Sequence, residues 1–291
     1  MGLNYETIQN LIELKKLGHF KNFQKVIEFG TQELHLKKED FKKLLDKSGY
    51  ENTDLNLFKG IDNWPKHPRC TAKYFYEMLG FKEYRTLDLN KQFNTINHDF
   101  NERFLDKNFF GKFDLVTDFC ACGHAFNIGE AYRTVHNLCK VGGLIIGVLP
   151  LWKGNAFYTY DHHFYEGLAA SNNYTIIYNS YVVYTGDKTP AGTDLAFHIP
   201  LNKSILNTIN LSSTTWLGVC FVLKKNTNHE FKFPYQGAYE KSKNNHYGFN
   251  RLYHQNPISY SYVPEFSLKN IKIKDLVKEI IERVKKKFKL F

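Results

Sequence analysis

Three acids in this 291-residue chain stand where a nucleoside could be held. Glu28, Asp88 and Asp99 each fall at or near the end of a short apolar run, in KVIEF, YRTLDLN and TINHD. A carboxylate can accept both hydroxyls of a diol, so an acid ending the second strand of a Rossmann-like sheet suits a ribose. An acid after the third strand suits the exocyclic amine of adenine. Gly30, directly after the first run, lets the backbone approach a ligand closely. A pyrophosphate fits poorly. There is no G-x-G-x-x-G, and Glu33 follows Gly30-Thr31-Gln32 where phosphate charge would meet a helix N-terminus. The pattern therefore favours a nucleoside-bearing cofactor with a positive end, such as the sulfonium of S-adenosylmethionine, over NAD or FAD.

Acids so placed need parallel strands ending at one edge. Short apolar runs bounded by turn residues predict strands over 25–29, 84–90, 95–99, 113–119 and 144–151. Helical spacing predicts helices over 5–17, 38–47, 71–79 and 127–138 between and before them. Beyond these come a helix over 161–171 and strands over 174–184 and 217–223, with loops at 62–70 and 187–192. The expectation is a doubly wound, Rossmann-like, mostly parallel seven-stranded α/β sheet with an antiparallel late strand. It would occupy residues 1–230, with an insertion at about 35–80. Residues 231–291 would form an irregular wrap (232–262) and a basic amphipathic helix (272–289).

Charge narrows the partners. The formal net charge is +10, and residues 267–291 hold nine Lys/Arg against three Asp/Glu. The body is thus only mildly basic, which excludes an extended nucleic-acid surface there. In the tail, Ile273, Leu276, Val277, Ile280, Ile281, Val284 and Phe288 form an apolar stripe under a basic rim. Such a helix suits an anionic membrane surface or an acidic protein partner. The five cysteines are odd in number and widely spread, no apolar leader is visible, and no run is long enough to span a bilayer. A reducing cytoplasm is expected. Cys120-x-Cys122-x-His124 lacks a second ligand pair, so no metal is expected.

The chain resembles class I S-adenosylmethionine-dependent methyltransferases, more narrowly a bacterial group that modifies surface glycans and other small molecules. The segments that carry the resemblance run in family order: VIEFGTQ, LGFKEYRTLDLN, NHDFN, FDLVTDFCACGHAFN, VHNLCKVGGLIIGVLP, FYTYDHHFYEGLAASNNY, WLGVCFVLKK and FPYQGAY. The resemblance implies that Glu28 and Gly30, with Gln32 in the same motif, line the methionine end of the cofactor. It implies Asp88 and its neighbour Leu89 at the ribose, and Asp99 with Phe100 at adenine. Asp118, Phe119 and His124 would face the transferring methyl.

Methyl transfer is an in-line displacement in which positioning supplies much of the rate, and an oxygen acceptor also wants a general base. An imidazole near neutral pKa serves. The candidates are His124, then His162 and His163, with Tyr158 and Tyr160 shaping the acceptor pocket. The expected acceptor is a hydroxyl, or secondarily an amine, of a sugar, sugar nucleotide or related small molecule in polysaccharide biosynthesis. The chain departs from the family where Gly123-His124 replaces Glu-His and Asn155-Ala156 replaces His-Gly, and its first loop has a single glycine. Those departures define the alternative, a degenerate methyltransferase fold kept for binding or assembly.

Overall fold

The computed structural model describes residues 2–91, 95–201 and 214–235, together with Val277 and Ile281. The chain divides into two compact units, Met1–Ile258 and Ser259–Phe291. In the second, Val277 and Ile281 are helical and exposed. The rest of the predicted C-terminal helix, and the predicted wrap beyond residue 235, lie outside the described residues.

In chain order the first unit contains β1 (Leu3–Asn4), α1 (Tyr5–Lys16), β2 (Lys25–Phe29), β3 (Leu34–His35) and α2 (Lys38–Lys47). Then follow α3 (Lys73–Met78), β4 (Glu83–Asp88), β5 (Thr95–Asn97), β6 (Phe113–Phe119) and α4 (Ile128–Leu138). The series closes with β7 (Cys139–Trp152), α5 (His163–Asn172), β8 (Tyr174–Lys188), β9 (Asp194–Ile199) and β10 (Trp216–Lys225). Eight strands share one sheet in the order β5-β4-β2-β6-β7-β10-β8-β9. Strands β5, β4, β2, β6 and β7 pair in parallel. β10 runs antiparallel to both β7 and β8.

Strand order reverses between β2 and β6, and this is the point where open α/β sheets bind ligands outside their strand ends. Alternation along the strands divides the core. Ile27, Val116 and Phe221 join Tyr132 and Val135 of α4 and Leu168 of α5 in one apolar cluster. On the opposite face Asn10 of α1 bonds Cys220, and Tyr84, paired in β4, bonds Glu28. Helices thus cover both faces, the doubly wound arrangement that strand–helix alternation predicts.

Three differences from the predicted elements have local causes. An eighth strand, β9, adds to the outer edge by pairing antiparallel with β8. Its six residues are half-buried or exposed throughout, and the apolar residues of DLAFHI show no alternation with polar ones to announce it. β7 starts at Cys139 instead of 144 because a register shift between Phe113 and Leu115 absorbs Gly142-Gly143 inside the strand. β8 likewise continues to Lys188, into the predicted 187–192 loop, across a second irregularity between Tyr184 and Lys188.

The segment between β3 and β4 holds α2, α3 and two short 3-10 turns. A single acid fastens it to the far end of the sheet. Asp40 Oδ2 accepts hydrogen bonds from the Thr189 hydroxyl at 2.5 Å and the Thr193 hydroxyl at 2.6 Å. The Lys37 amide donates to that same Thr193 oxygen at 2.9 Å. No helix among the described residues is long and apolar enough to cross a membrane.

Candidate functional site

The carboxyl ends of the parallel strands come level with one another. Phe29 at the end of β2 pairs with Leu87 of β4 on one side and Asp118 of β6 on the other, and Asp88 pairs with Asn97 of β5. The chain turns sharply after both switch-point strands. Gly30 has φ +76° and Cys120 has φ +71°. At Gly30 the absent side chain matters, because a Cβ there would lie 3.0 Å from the Cβ of Ala121. The two turns therefore approach each other closely, bordering the position where open α/β sheets form their ligand crevice. Cys120 holds a conformation costly for a residue with a Cβ, of the kind that concentrates at functional sites.

Asp88 organises one side of this crevice. Its Oδ2 accepts from the Thr31 amide at 2.8 Å and its Oδ1 from the Asn90 amide at 3.2 Å. The carboxylate is half-buried and retains lone pairs for a further donor. Beside it the hydroxyls of Thr86 and Thr95 bond at 2.7 Å, with the Thr31 hydroxyl 3.4 Å from Thr86. Leu89 projects into solvent. Asp99 accepts from both the backbone and side-chain amides of Asn101 at 2.9 Å, and Phe100 packs on Phe29 with ring centroids 5.3 Å apart. Asn101 in turn accepts from the Asn127 amide at 2.9 Å, which ties the loop after β5 to the start of α4.

Glu28 and Asp118 are placed differently. Glu28 is paired with Thr117, while Asp118 is paired with Phe29, so their side chains leave opposite faces of the sheet. Glu28 is fully buried and accepts from the Tyr84 hydroxyl at 2.6 Å. Burial pushes its carboxyl up to about 8, so it holds a proton at neutral pH. Asp118 is also fully buried, accepting from the Cys122 amide at 3.0 Å and the Tyr132 hydroxyl at 2.9 Å, and burial raises it too. Neither carboxyl opens to solvent, so both support the crevice from below. Gln32 is buried as well, and its amide donates to the Phe29 carbonyl at 3.2 Å.

His124 ends a short 3-10 turn, Cys122–His124, and is exposed. Partial desolvation holds its imidazole below the usual histidine range. The loop after β7 lies against this turn. The Phe157 amide donates to the Gly123 carbonyl at 3.0 Å, and the Tyr158 hydroxyl donates to the Phe126 carbonyl at 2.9 Å. Phe119 is buried behind the turn, and Tyr160 is buried below Tyr158 with ring centroids 6.2 Å apart. Cys120 is no nucleophile in this setting, because burial pushes its thiol up to about 12. His162 and His163 stand farther along the same loop, at the start of α5, beside Asp161 and Glu166.

The structure thus gathers Gly30, Asp88, Asp99, Phe100, Phe119 and His124 at or just beyond the carboxyl ends of β2, β4, β5 and β6. It sets Glu28, Gln32 and Asp118 beneath those ends. The three threonines around Asp88, the Asn101–Asn127 link and the tyrosines that hold the buried acids have no mark in the local sequence. All depend on residues far apart in the chain or on strand register, so only an N-cap signal at Asn127, whose side chain accepts from the Glu130 amide, is legible there. Two cavities, of about 610 and 430 Å³, have linings that include no residue of the loops after β2, β4, β5 and β6.

No protein-family model matches the chain, and no curated protein matches it either. Solved structures similar to it include a putative methyltransferase from Bacillus halodurans, 9% identical, covering 75% of this chain and 99% of that one at a TM-score of 0.40. Another is a SAM-dependent methyltransferase from Archaeoglobus fulgidus, 12% identical, covering 75% and 94% at a TM-score of 0.36. A third is the 1,6-didemethyltoxoflavin-N1-methyltransferase of Burkholderia thailandensis, solved with S-adenosylhomocysteine, 11% identical, covering 76% and 80% at a TM-score of 0.38. Strand order, with its switch point and its antiparallel β10 between β7 and β8, gives this chain a mostly parallel, Rossmann-like α/β fold.

Proposed function

We propose that this chain binds S-adenosylmethionine and transfers its methyl group to a hydroxyl, or secondarily an amine, of a sugar, sugar nucleotide or related small acceptor. The observation that carries the reading is the setting of Asp88. It is a half-buried acid at the end of β4, next to the switch point, locked to the turn that follows β2. Its remaining lone pairs would accept ribose hydroxyls. Leu89 would lie beside the ribose, Asp99 and Phe100 would bound the adenine, and the backbone around Gly30 and Cys120 would border the methionine end. Glu28, Gln32 and Asp118 would act from beneath, keeping those turns in place. When bound, the cofactor supplies a methyl group made electrophilic by its sulfonium.

His124 would accept the proton of the attacking hydroxyl at a ring nitrogen, its lowered basicity keeping the imidazole neutral near pH 7. Tyr158 and Tyr160 would form the acceptor wall. His162 and His163 are the second choice for the base. A surface-polysaccharide role, a cytoplasmic setting and a C-terminal helix lying on an anionic membrane or an acidic protein complete the proposal. Calorimetric titration with S-adenosylmethionine and S-adenosylhomocysteine tests it, with micromolar binding of both as the expected result. One observation favours a second reading, the degenerate scaffold: Gly30 and Ala121 approach closely across the crevice. Absence of binding at millimolar ligand would select that reading.

A further inference from the structure

We propose that Asp161, His162 and His163 form a binding site for a divalent transition metal, with Glu166 as its outer-shell support. Ligand atoms of the three residues all lie within 4.8 Å of one another. Asp161 Oδ1 is 2.8 Å from His162 Nδ1 and 3.8 Å from His163 Nε2. In a tetrahedral site with bonds of about 2.0–2.1 Å, neighbouring ligand atoms stand about 3.3 Å apart. The two distances bracket that value. The longer one exceeds hydrogen-bond range, so the His163 ring nitrogen itself makes no hydrogen bond to that oxygen.

Glu166 supplies the second feature. It is 8% exposed, and its Oε2 lies 2.9 Å from His163 Nδ1. A carboxylate on one ring nitrogen fixes the tautomer and turns the other nitrogen's lone pair outward, the usual arrangement behind a metal-bound histidine. Here that other nitrogen is Nε2, the one facing Asp161. The backbone holds the cluster in shape, since the His163 amide donates to Asp161 Oδ1 at 3.0 Å and the Tyr160 amide donates to the Pro150 carbonyl at 2.7 Å.

Two imidazoles and one carboxylate suit zinc, cobalt or nickel better than magnesium or calcium, which prefer all-oxygen shells. The Asp161 and His163 side chains are 59% and 40% exposed. A fourth coordination position would therefore face solvent and be open to water or an oxygen donor of a small ligand. Its ligands are none of the residues assigned to the cofactor, and it would give His162 and His163 a role other than that of a base.

The test is calorimetric titration of the full chain with zinc chloride, alongside the visible spectrum of the cobalt-loaded protein. One zinc per chain and a tetrahedral d–d band are expected. The double variant H162A/H163A should bind at least a hundredfold more weakly, and E166Q about ten- to a hundredfold more weakly. C120S/C122S should bind like the parent. Circular dichroism and thermal melting establish that each variant is folded, and the milder H162Q and H163Q replace the double variant if it is not. Absence of zinc binding by the parent, or unchanged affinity in the folded histidine variants, would overturn the proposal. Cofactor titration is a separate readout, so failure of one reading is distinguishable from failure of the other.

Discussion

Asp88 accepts the Thr31 amide at 2.8 Å, so the acid that ends β4 also fastens the turn that follows β2. One carboxylate thus sets the shape of the crevice and keeps lone pairs free to bind in it. The acid and the glycine turn behave as a single device.

Asp88→Ala removes both roles. Affinity for S-adenosylmethionine should fall at least tenfold, and stability by about 1–2 kcal/mol from the loss of charge-assisted hydrogen bonds at a half-buried site. Asp88→Asn should keep much of the stability and still lose affinity. Paired calorimetry and urea unfolding separate the two effects, and undiminished affinity in the alanine variant would sink the cofactor assignment.

Gly30→Ala should cost about 1–2 kcal/mol, because its φ of +76° is unfavourable with a Cβ and Ala121 stands 3.0 Å from that atom's position. Since the strain sits at the crevice, cofactor affinity should drop as well. A fully stable variant with parental affinity would show that the turn can relax.

His124→Ala should lower the methyl-transfer rate by about 10²–10⁴-fold while leaving cofactor affinity within about twofold. Its imidazole is held below the usual histidine value, so the rate of the parent should fall only on the acid side of about pH 6.5. A pH profile measured on the parent and the variant is the check. If His162 or His163 is the base instead, the acid limb survives in His124→Ala.

Glu28 makes stability depend on pH in an unusual direction. Its folded pKa, about 8, lies above its ordinary 4.5, so its contribution is complete below about pH 4.5 and is lost as pH rises through 8. Glu6, pushed up to about 7 by burial, adds to the same trend. Unfolding free energy should therefore decline from pH 5 to pH 8, with Glu28 contributing on the order of 2–4 kcal/mol. Glu28→Gln, which stays neutral, should flatten much of that decline in urea titrations at successive pH values.

The parallel half of the sheet was legible because its central strands are buried, largely apolar runs. KVIEF and FDLVTDF begin and end where the sequence places them. β9 was not legible, since DLAFHI is short and its apolar residues do not alternate with polar ones. The site divides along the same line. Sequence marks the ends of strands, so Asp88 and Asp99 could be placed at one edge. Which face of the sheet a side chain leaves depends on register, and register buries Glu28 and Asp118 on opposite sides. The tyrosines that neutralise the need for solvent around those acids come from other strands and helices, beyond the reach of local pattern.

The bond from Asp40 to Thr189 and Thr193 sets an order of events. These partners are 149 and 153 residues apart along the chain. Contacts of such separation are entropically expensive until the intervening chain is in place. The α2 segment packs Phe41 on Phe58 and Phe75 early in the chain, but its Asp40 anchor has no partner until β8 and the turn after it exist. Asp40 is thus a clasp that a chain cut short before residue 189 could not close.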